Sequence, residues 1–164
     1  MADKPTIYVE TTIPSFLTAR PSGDLIVAGR QLVTRQWWEQ NRLDYDLFVS
    51  EIVLDEAGGG DPLAARARLE VLQGLPLLQI DDATLGLTRA ILESGVIPGK
   101  VAADAGHVAV ATRYGMNFLL TWNCAHIANA AIRMKLGEVA QKAGFSLPVI
   151  CTPDEMPAGG ENEG

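Results

Sequence analysis

Short apolar runs alternate with longer segments of helical period along most of the chain. The runs "TIYVE" (6–10), "LFVS" (47–50), "LPLLQI" (75–80), "NFLLTW" (117–122) and "PVICT" (148–152) are bounded by turn and breaker residues and have the length of buried strands. Between them, "TTIPSFL" predicts a turn or short helix, with Pro14 tolerated in its first turn. Asp24 is placed to cap a helix through "LIVAGRQLVTRQWWEQ", in which Ile26, Leu32, Val33 and Trp37 keep helical spacing and predict a core or interface stripe. "EIVLDEA" reads as a short helix stopped by the glycines at 58–60, and Asp61 as the cap of "PLAARARLEVLQG", with Arg66 and Arg68 on its solvated face. "DDATLGLTRAILESG" begins on acids and ends at Gly95, and Pro98-Gly99 breaks the chain. The Ala/Val-rich "KVAADAGHVAVATRYG" predicts a nearly buried helix, and "IANAAIRMKLGEVAQKAG" a long one closed by Gly144. No internal repeat interrupts this order.

Strands separated by helices need crossover connections, so the pattern predicts a mainly parallel sheet covered on both faces. At 164 residues the chain suits one domain, taken as residues 1–152, followed by an acidic tail over 153–164 that is expected to be disordered. In open parallel sheets, ligands collect in the crevice beyond the carboxyl ends of the strands. Functional side chains are therefore to be sought just after the apolar runs.

Composition narrows the field modestly. Nearly half the residues are apolar and a fifth are charged, a globular balance. No apolar run reaches the length of a membrane span, and the opening "MADKPTIYVE" has no long apolar stretch with a small-residue cleavage site. A cytoplasmic protein without membrane association is expected. The net charge of −7 argues against a duplex-coating basic protein, although four acids lie after Thr152 and the remainder carries only −3. Cys124 and Cys151 form no CxxC and suit two reduced thiols. With His107 and His126 they match no zinc-finger or zinc-ribbon spacing.

The acids are more informative. Glu10 ends the first apolar run, Glu56 lies in the helix after the second, and Asn123 follows the fourth. Asp104 stands among "VAA" and "AGHVAVA", where a buried carboxylate needs a cation or hydrogen bonds to compensate it. The plainer role for it is capping a neighbouring loop. Carboxylates gathered in one crevice repel one another and need a counter-ion, and an all-oxygen donor set favours Mg²⁺ or Mn²⁺ over zinc. Such an ion binds phosphate oxygens and lowers the pKa of bound water, which points to phosphodiester hydrolysis among other metal-assisted hydrolyses.

The segments "YVETTIPSFL", "VSEIVLDEAGGGDP", "AADAGHVAVA", "LLTWNCAHIANA" and "VICTPDEM" occur in this order, and together they resemble the PIN-domain family of the VapC-like toxin type over residues 6–156. The resemblance implies a Rossmann-like three-layer α/β/α sandwich, often a homodimer, with Mg²⁺- or Mn²⁺-dependent ribonuclease activity on an RNA substrate. It also implies a possible antitoxin protein as partner. Glu10 matches the first acid of the family, usually Asp; Glu56 matches the second and Asp104 the third. Glu51 is a rival for the second position, but an acid at a helix start also suits the helix dipole.

Asn123 occupies the place of a fourth acid in many relatives. Its amide oxygen brings no charge, and Glu10 is one methylene longer than Asp. Together these predict weaker metal affinity or a single metal. Around the acids, Thr11 and Ser50 could orient a ligand or cap helices. His107 follows Asp104 by one helical turn and could contact substrate or pack between helices, and His126 stands likewise after Asn123, near phosphate or as a cap. Trp122 suits base stacking or the core, and Arg20, Lys100 and Arg113 are candidate contacts to an RNA backbone. Two functions from different classes follow: a metal-dependent endoribonuclease, or a PIN-like RNA- or protein-binding module with a degenerate site. A phosphatase-like hydrolase would need a nucleophilic Asp with a partner Lys, a set that does not assemble here.

Overall fold

A computed structural model describes residues 3–156. Five parallel strands form one sheet in the order β3-β2-β1-β4-β5, comprising β1 (Thr6–Val9), β2 (Asp46–Ser50), β3 (Leu77–Leu78), β4 (Phe118–Leu120) and β5 (Val149–Cys151). Seven α-helices among the described residues cover its faces: α1 (Thr12–Thr18), α2 (Leu25–Asn41), α3 (Glu51–Ala57), α4 (Pro62–Leu72), α5 (Asp82–Glu93), α6 (Ala102–Arg113) and α7 (Ala130–Lys142). The expected three-layer α/β/α sandwich is what the chain adopts. Its centre is the trio β2-β1-β4, where Ile7, Tyr8, Val9, Leu119 and Leu120 are completely buried. β1 pairs with β2 on one side and β4 on the other, so the connections diverge there and open a crevice at the carboxyl ends of β1 and β4.

The helix starts follow the expected chemistry. Asp24, Asp61 and Asp81 each accept hydrogen bonds from the first backbone N–H groups of α2, α4 and α5. Gly95 and Gly144 take positive φ just past α5 and α7, a conformation that other residues enter at a cost. α6 is buried continuously from Ala105 to Thr112, as its Ala/Val run requires.

Several expectations need correction. In α2 only half of the expected apolar stripe is buried. Trp37 is in the core and Val33 packs against it, but Ile26 and Leu32 are exposed, and Gln31, Thr34 and Asn41 face inward in their place. Polar burial is tolerated there because Gln31 bonds the backbone at Arg20 and Ser22, and Thr34 holds the Trp122 indole. Arg66 is exposed as expected, but Arg68 turns back to donate to the carbonyls of Ala57 and Gly59, fixing the loop between α3 and α4. The third strand shrinks to Leu77–Leu78 at the sheet edge. The last helix starts three residues later than its apolar pattern, because Asn129 caps it. The acidic segment does not leave the fold at residue 153: Pro153–Glu155 form a 3₁₀ turn with a Thr152/Glu155 capping box, and Pro153 and Met156 are buried. The rest of the expected tail, 157–164, lies outside the described residues. No helix among the described residues is long and apolar enough to cross a membrane.

Candidate functional site

Glu10 leaves β1 at the mouth of the crevice and is almost fully buried. Its Oε2 accepts from the Thr12 backbone N–H (2.8 Å), from the Thr12 hydroxyl and from the Thr121 hydroxyl (3.0 Å). Each hydroxyl in turn accepts from backbone beyond β4: Thr12 Oγ1 from the Trp122 N–H and Thr121 Oγ1 from the Asn123 N–H. One carboxylate oxygen thus joins the exits of the two central strands. Burial raises the pKa of Glu10; a nearby His107 charge and these hydrogen bonds oppose the rise without cancelling it.

Glu56 lies near the end of α3. Its Oε1 accepts from the Thr11 hydroxyl at 2.7 Å and from His107 Nε2 at 2.5 Å. The His107 hydrogen bond is the main cause holding the Glu56 pKa below the usual carboxylate range. A carboxylate only accepts, so the network assigns the Nε2 proton to His107. Behind it, His107 Nδ1 meets the Tyr8 hydroxyl at 2.7 Å, and the same hydroxyl meets Ser50 Oγ at 2.8 Å. Tyr8, Ser50 and His107 are all completely buried, and desolvation pushes the Tyr8 phenol well above its ordinary pKa, so it serves as a neutral hydroxyl.

The remaining positions are placed less tightly. Asp104 is half-buried in the first turn of α6, where its charge suits the helix dipole, and none of these hydrogen bonds holds it. The burial cost argued from its apolar sequence neighbours is therefore reduced: the preceding turn is 3₁₀, so Asp104 stands at a helix start and not in a helix interior. Asn123 uses its amide oxygen to accept from the His126 N–H at 3.0 Å, while its carbonyl accepts from Ile127 and Ala128. His126 does not cap the long helix, a role taken by Asn129. Thr11 and Ser50 occupy N-cap positions, yet their hydroxyls make no cap bond and go to Glu56 and Tyr8. Trp122 is buried, donates its indole N–H to Thr34 Oγ1 at 2.7 Å and lies under the Arg30 guanidinium, so its place is structural and it offers no open stacking face. Arg113 is committed to an ion pair with Asp81. Glu51, the rival of Glu56, is an exposed first-turn acid of α3.

Three participants escaped the sequence reading: Tyr8, Thr12 and Thr121. A tyrosine in the middle of a buried strand carries a hydroxyl that needs a partner, which was the available signal for Tyr8. The threonines resemble ordinary turn residues, and only their pairing across β1 and β4 shows what they hold.

The donor set fits a hard divalent cation in its chemistry. Glu10 and Glu56 receive all these hydrogen bonds on one oxygen each, leaving Glu10 Oε1 and Glu56 Oε2, with the Asp104 carboxylate, as oxygen donors. As placed, no three His, Cys, Asp or Glu side chains among the described residues converge closely enough to hold a metal ion. A groove of about 550 Å³ lined by Trp38, Arg42, Tyr45, Phe48 and Glu70 lies toward the amino ends of β2 and β3, away from these carboxylates.

No protein-family model matches the chain. No curated protein matches it either. Among solved structures, it is similar to VapBC2 from Rickettsia felis bound to a DNA fragment from their promoter, with a TM-score of 0.56 and 14% sequence identity over 90% of this chain and 98% of that one. At that identity the likeness is one of fold alone, and it agrees with the three-layer α/β/α sandwich described above.

Proposed function

We propose that this chain is a metal-dependent endoribonuclease of the PIN type, hydrolysing RNA phosphodiester bonds at the crevice beyond β1 and β4. The observation that carries the reading is that Glu10 and Glu56 are fixed beside the carboxyl ends of the central strands through one oxygen each. Glu10, Glu56 and Asp104 are the residues that would hold Mg²⁺ or Mn²⁺, which when bound would neutralise phosphate charge and supply an activated water. The chain's own part is to orient: Thr12 and Thr121 hold Glu10, and Thr11 and His107 hold Glu56. A neutral Asn123 in place of a fourth acid weakens the cation site. The solved neighbour is a VapBC2 assembly, which supports an antitoxin partner for this chain as well. Pairing with a second copy accompanies the proposal, and sedimentation of the purified chain tests it.

The deciding experiment is cleavage of a labelled structured RNA pool with Mn²⁺ or Mg²⁺, with chelator, Asp104→Asn and Asn123→Asp in parallel. Cuts that need both the ion and Asp104 are expected, with a gain from Asn123→Asp. Cuts that persist undiminished in Asp104→Asn would remove that residue from the site.

A second reading, a PIN-like RNA- or protein-binding module, is favoured by one observation: Glu56 is engaged by His107 and Asn123 by its own turn, leaving the acids ungathered. RNA retained in chelator and in Asp104→Asn, with no cuts from any variant, would select the module.

A further inference from the structure

We propose that His107 is a positioning residue for Glu56, and that Tyr8 and Ser50 hold the imidazole for that purpose; this rests on Glu56 being a cation ligand as read above. The four residues come from four different elements. Ser50 closes β2, Tyr8 lies within β1, His107 projects from α6 and Glu56 from α3. Their contacts form one continuous chain of hydrogen bonds running from Ser50 Oγ through the Tyr8 hydroxyl and both imidazole nitrogens to Glu56 Oε1. Packing between helices alone needs no such arrangement, because an apolar side chain would fill the same space.

Exposure assigns the direction of action. The His107 side chain is 0% exposed, whereas that of Glu56 is 38% exposed. Both ring nitrogens of the fully enclosed His107 are already engaged, by Tyr8 and by Glu56, so it acts on a ligand through the carboxylate. A glutamate side chain has three rotatable bonds, and one hydrogen bond leaves its carboxylate free to swing. Here Thr11 and His107 donate to the same Oε1 from two separate elements, which fixes the group and leaves Oε2 for a ligand. The imidazole is equally constrained. Its Nδ1 is partnered by Tyr8, and the two rings lie tilted with centroids 5.8 Å apart.

The test uses the purified chain, Mn²⁺ as probe and free-Mn²⁺ EPR as readout, with thermal melting to confirm folding. His107→Leu removes the donor and is expected to weaken Mn²⁺ binding by about tenfold, the usual size of a loss behind a metal ligand. His107→Gln, which carries an N–H donor at about the same reach as Nε2, is expected to restore most of it. Tyr8→Phe is expected to weaken binding less, by about threefold, through a loosened imidazole. Equal Mn²⁺ affinity in folded wild type, His107→Leu and His107→Gln would overturn the positioning role while leaving the metal reading intact. No Mn²⁺ binding by the wild type would overturn the metal reading and this role with it. ¹⁵N spectra of the wild-type imidazole judge the pair independently of any ion: a proton on Nε2 whose signal moves in Glu56→Gln is expected. A neutral imidazole protonated on Nδ1 alone would sink the assignment.

Discussion

Ile52 Cδ1 stands 2.6 Å from the point where a Cβ on Gly106 would lie. The glycine is in α6 and the isoleucine in α3, so the contact marks a close approach between the two helices, one residue before His107 and four before Glu56. Close passage of these helices is what lets the imidazole reach the carboxylate.

Gly106→Ala tests how rigid that approach is. The only close atom is the far end of a half-buried isoleucine, which can rotate away, and alanine favours the helix by about 1 kcal/mol. The expected net change in unfolding free energy is within about 1 kcal/mol of zero, with Mn²⁺ affinity unchanged. Gly106→Val adds branches that the isoleucine cannot clear, and should destabilise by about 1–3 kcal/mol and lower Mn²⁺ affinity. Urea denaturation with the EPR titration reads both.

The Trp122–Thr34 pair carries a second prediction. Thr34→Val keeps the shape but leaves the indole N–H buried without an acceptor, at a cost of about 1–3 kcal/mol. RNA retention by the folded variant should match wild type, because Trp122 faces the protein. A specific loss of RNA binding without loss of stability would return Trp122 to the list of base-stacking residues.

How far the sequence revealed this molecule differs by level. Alternation of apolar runs with helical segments was enough for the parallel sandwich, and Asp24, Asp61 and Gly144 marked helix ends because capping is a local interaction. In α2 Trp37 was placed correctly but Ile26 and Leu32 were not. Period alone cannot show that Gln31 is satisfied by the backbone of Arg20 and Ser22 just before the helix, or Thr34 by Trp122 far along the chain. At the site, Glu10 and Glu56 were visible as acids after strands. Thr11, Ser50 and His107 stood among the candidates beside them, but Tyr8 and Thr121 did not, since the Tyr8–His107 and Thr121–Glu10 contacts span about a hundred residues and leave no spacing to read.

Glu10→Gln should stabilise the protein in chelator at neutral pH. The folded pKa of Glu10 is raised by burial, so its unfavourable effect is absent below the unfolded pKa and grows as pH rises through that range. Glutamine keeps an oxygen for the three donors on Oε2 and carries no charge to bury. The gain expected from urea unfolding at pH 7 is on the order of 1 kcal/mol, the size typical of relieving a functional strain, and it should vanish by about pH 4. Mn²⁺ binding should fall in the same variant. A variant less stable than wild type at pH 7 would mean that the charged carboxylate is itself structural.

The ion pair of Arg113 with Asp81 fastens the end of α6 to the start of α5, with the shortest contact at 2.9 Å. Asp81 also caps α5. Its hydrogen bond from the Thr84 N–H, then the Arg113 guanidinium, lower its pKa from the ordinary 3.8 to about 2. A depressed carboxylate contributes stability that is fully present above the unfolded pKa and is lost as pH falls through the folded one. Asp81→Asn keeps a good capping side chain and removes the charge. The urea midpoint of wild type should therefore exceed that of Asp81→Asn by a constant margin from neutrality down to about pH 4, and the margin should close as pH falls toward about 2. A margin that persists undiminished at the acid end would show that the two side chains differ there by packing or capping and not by charge.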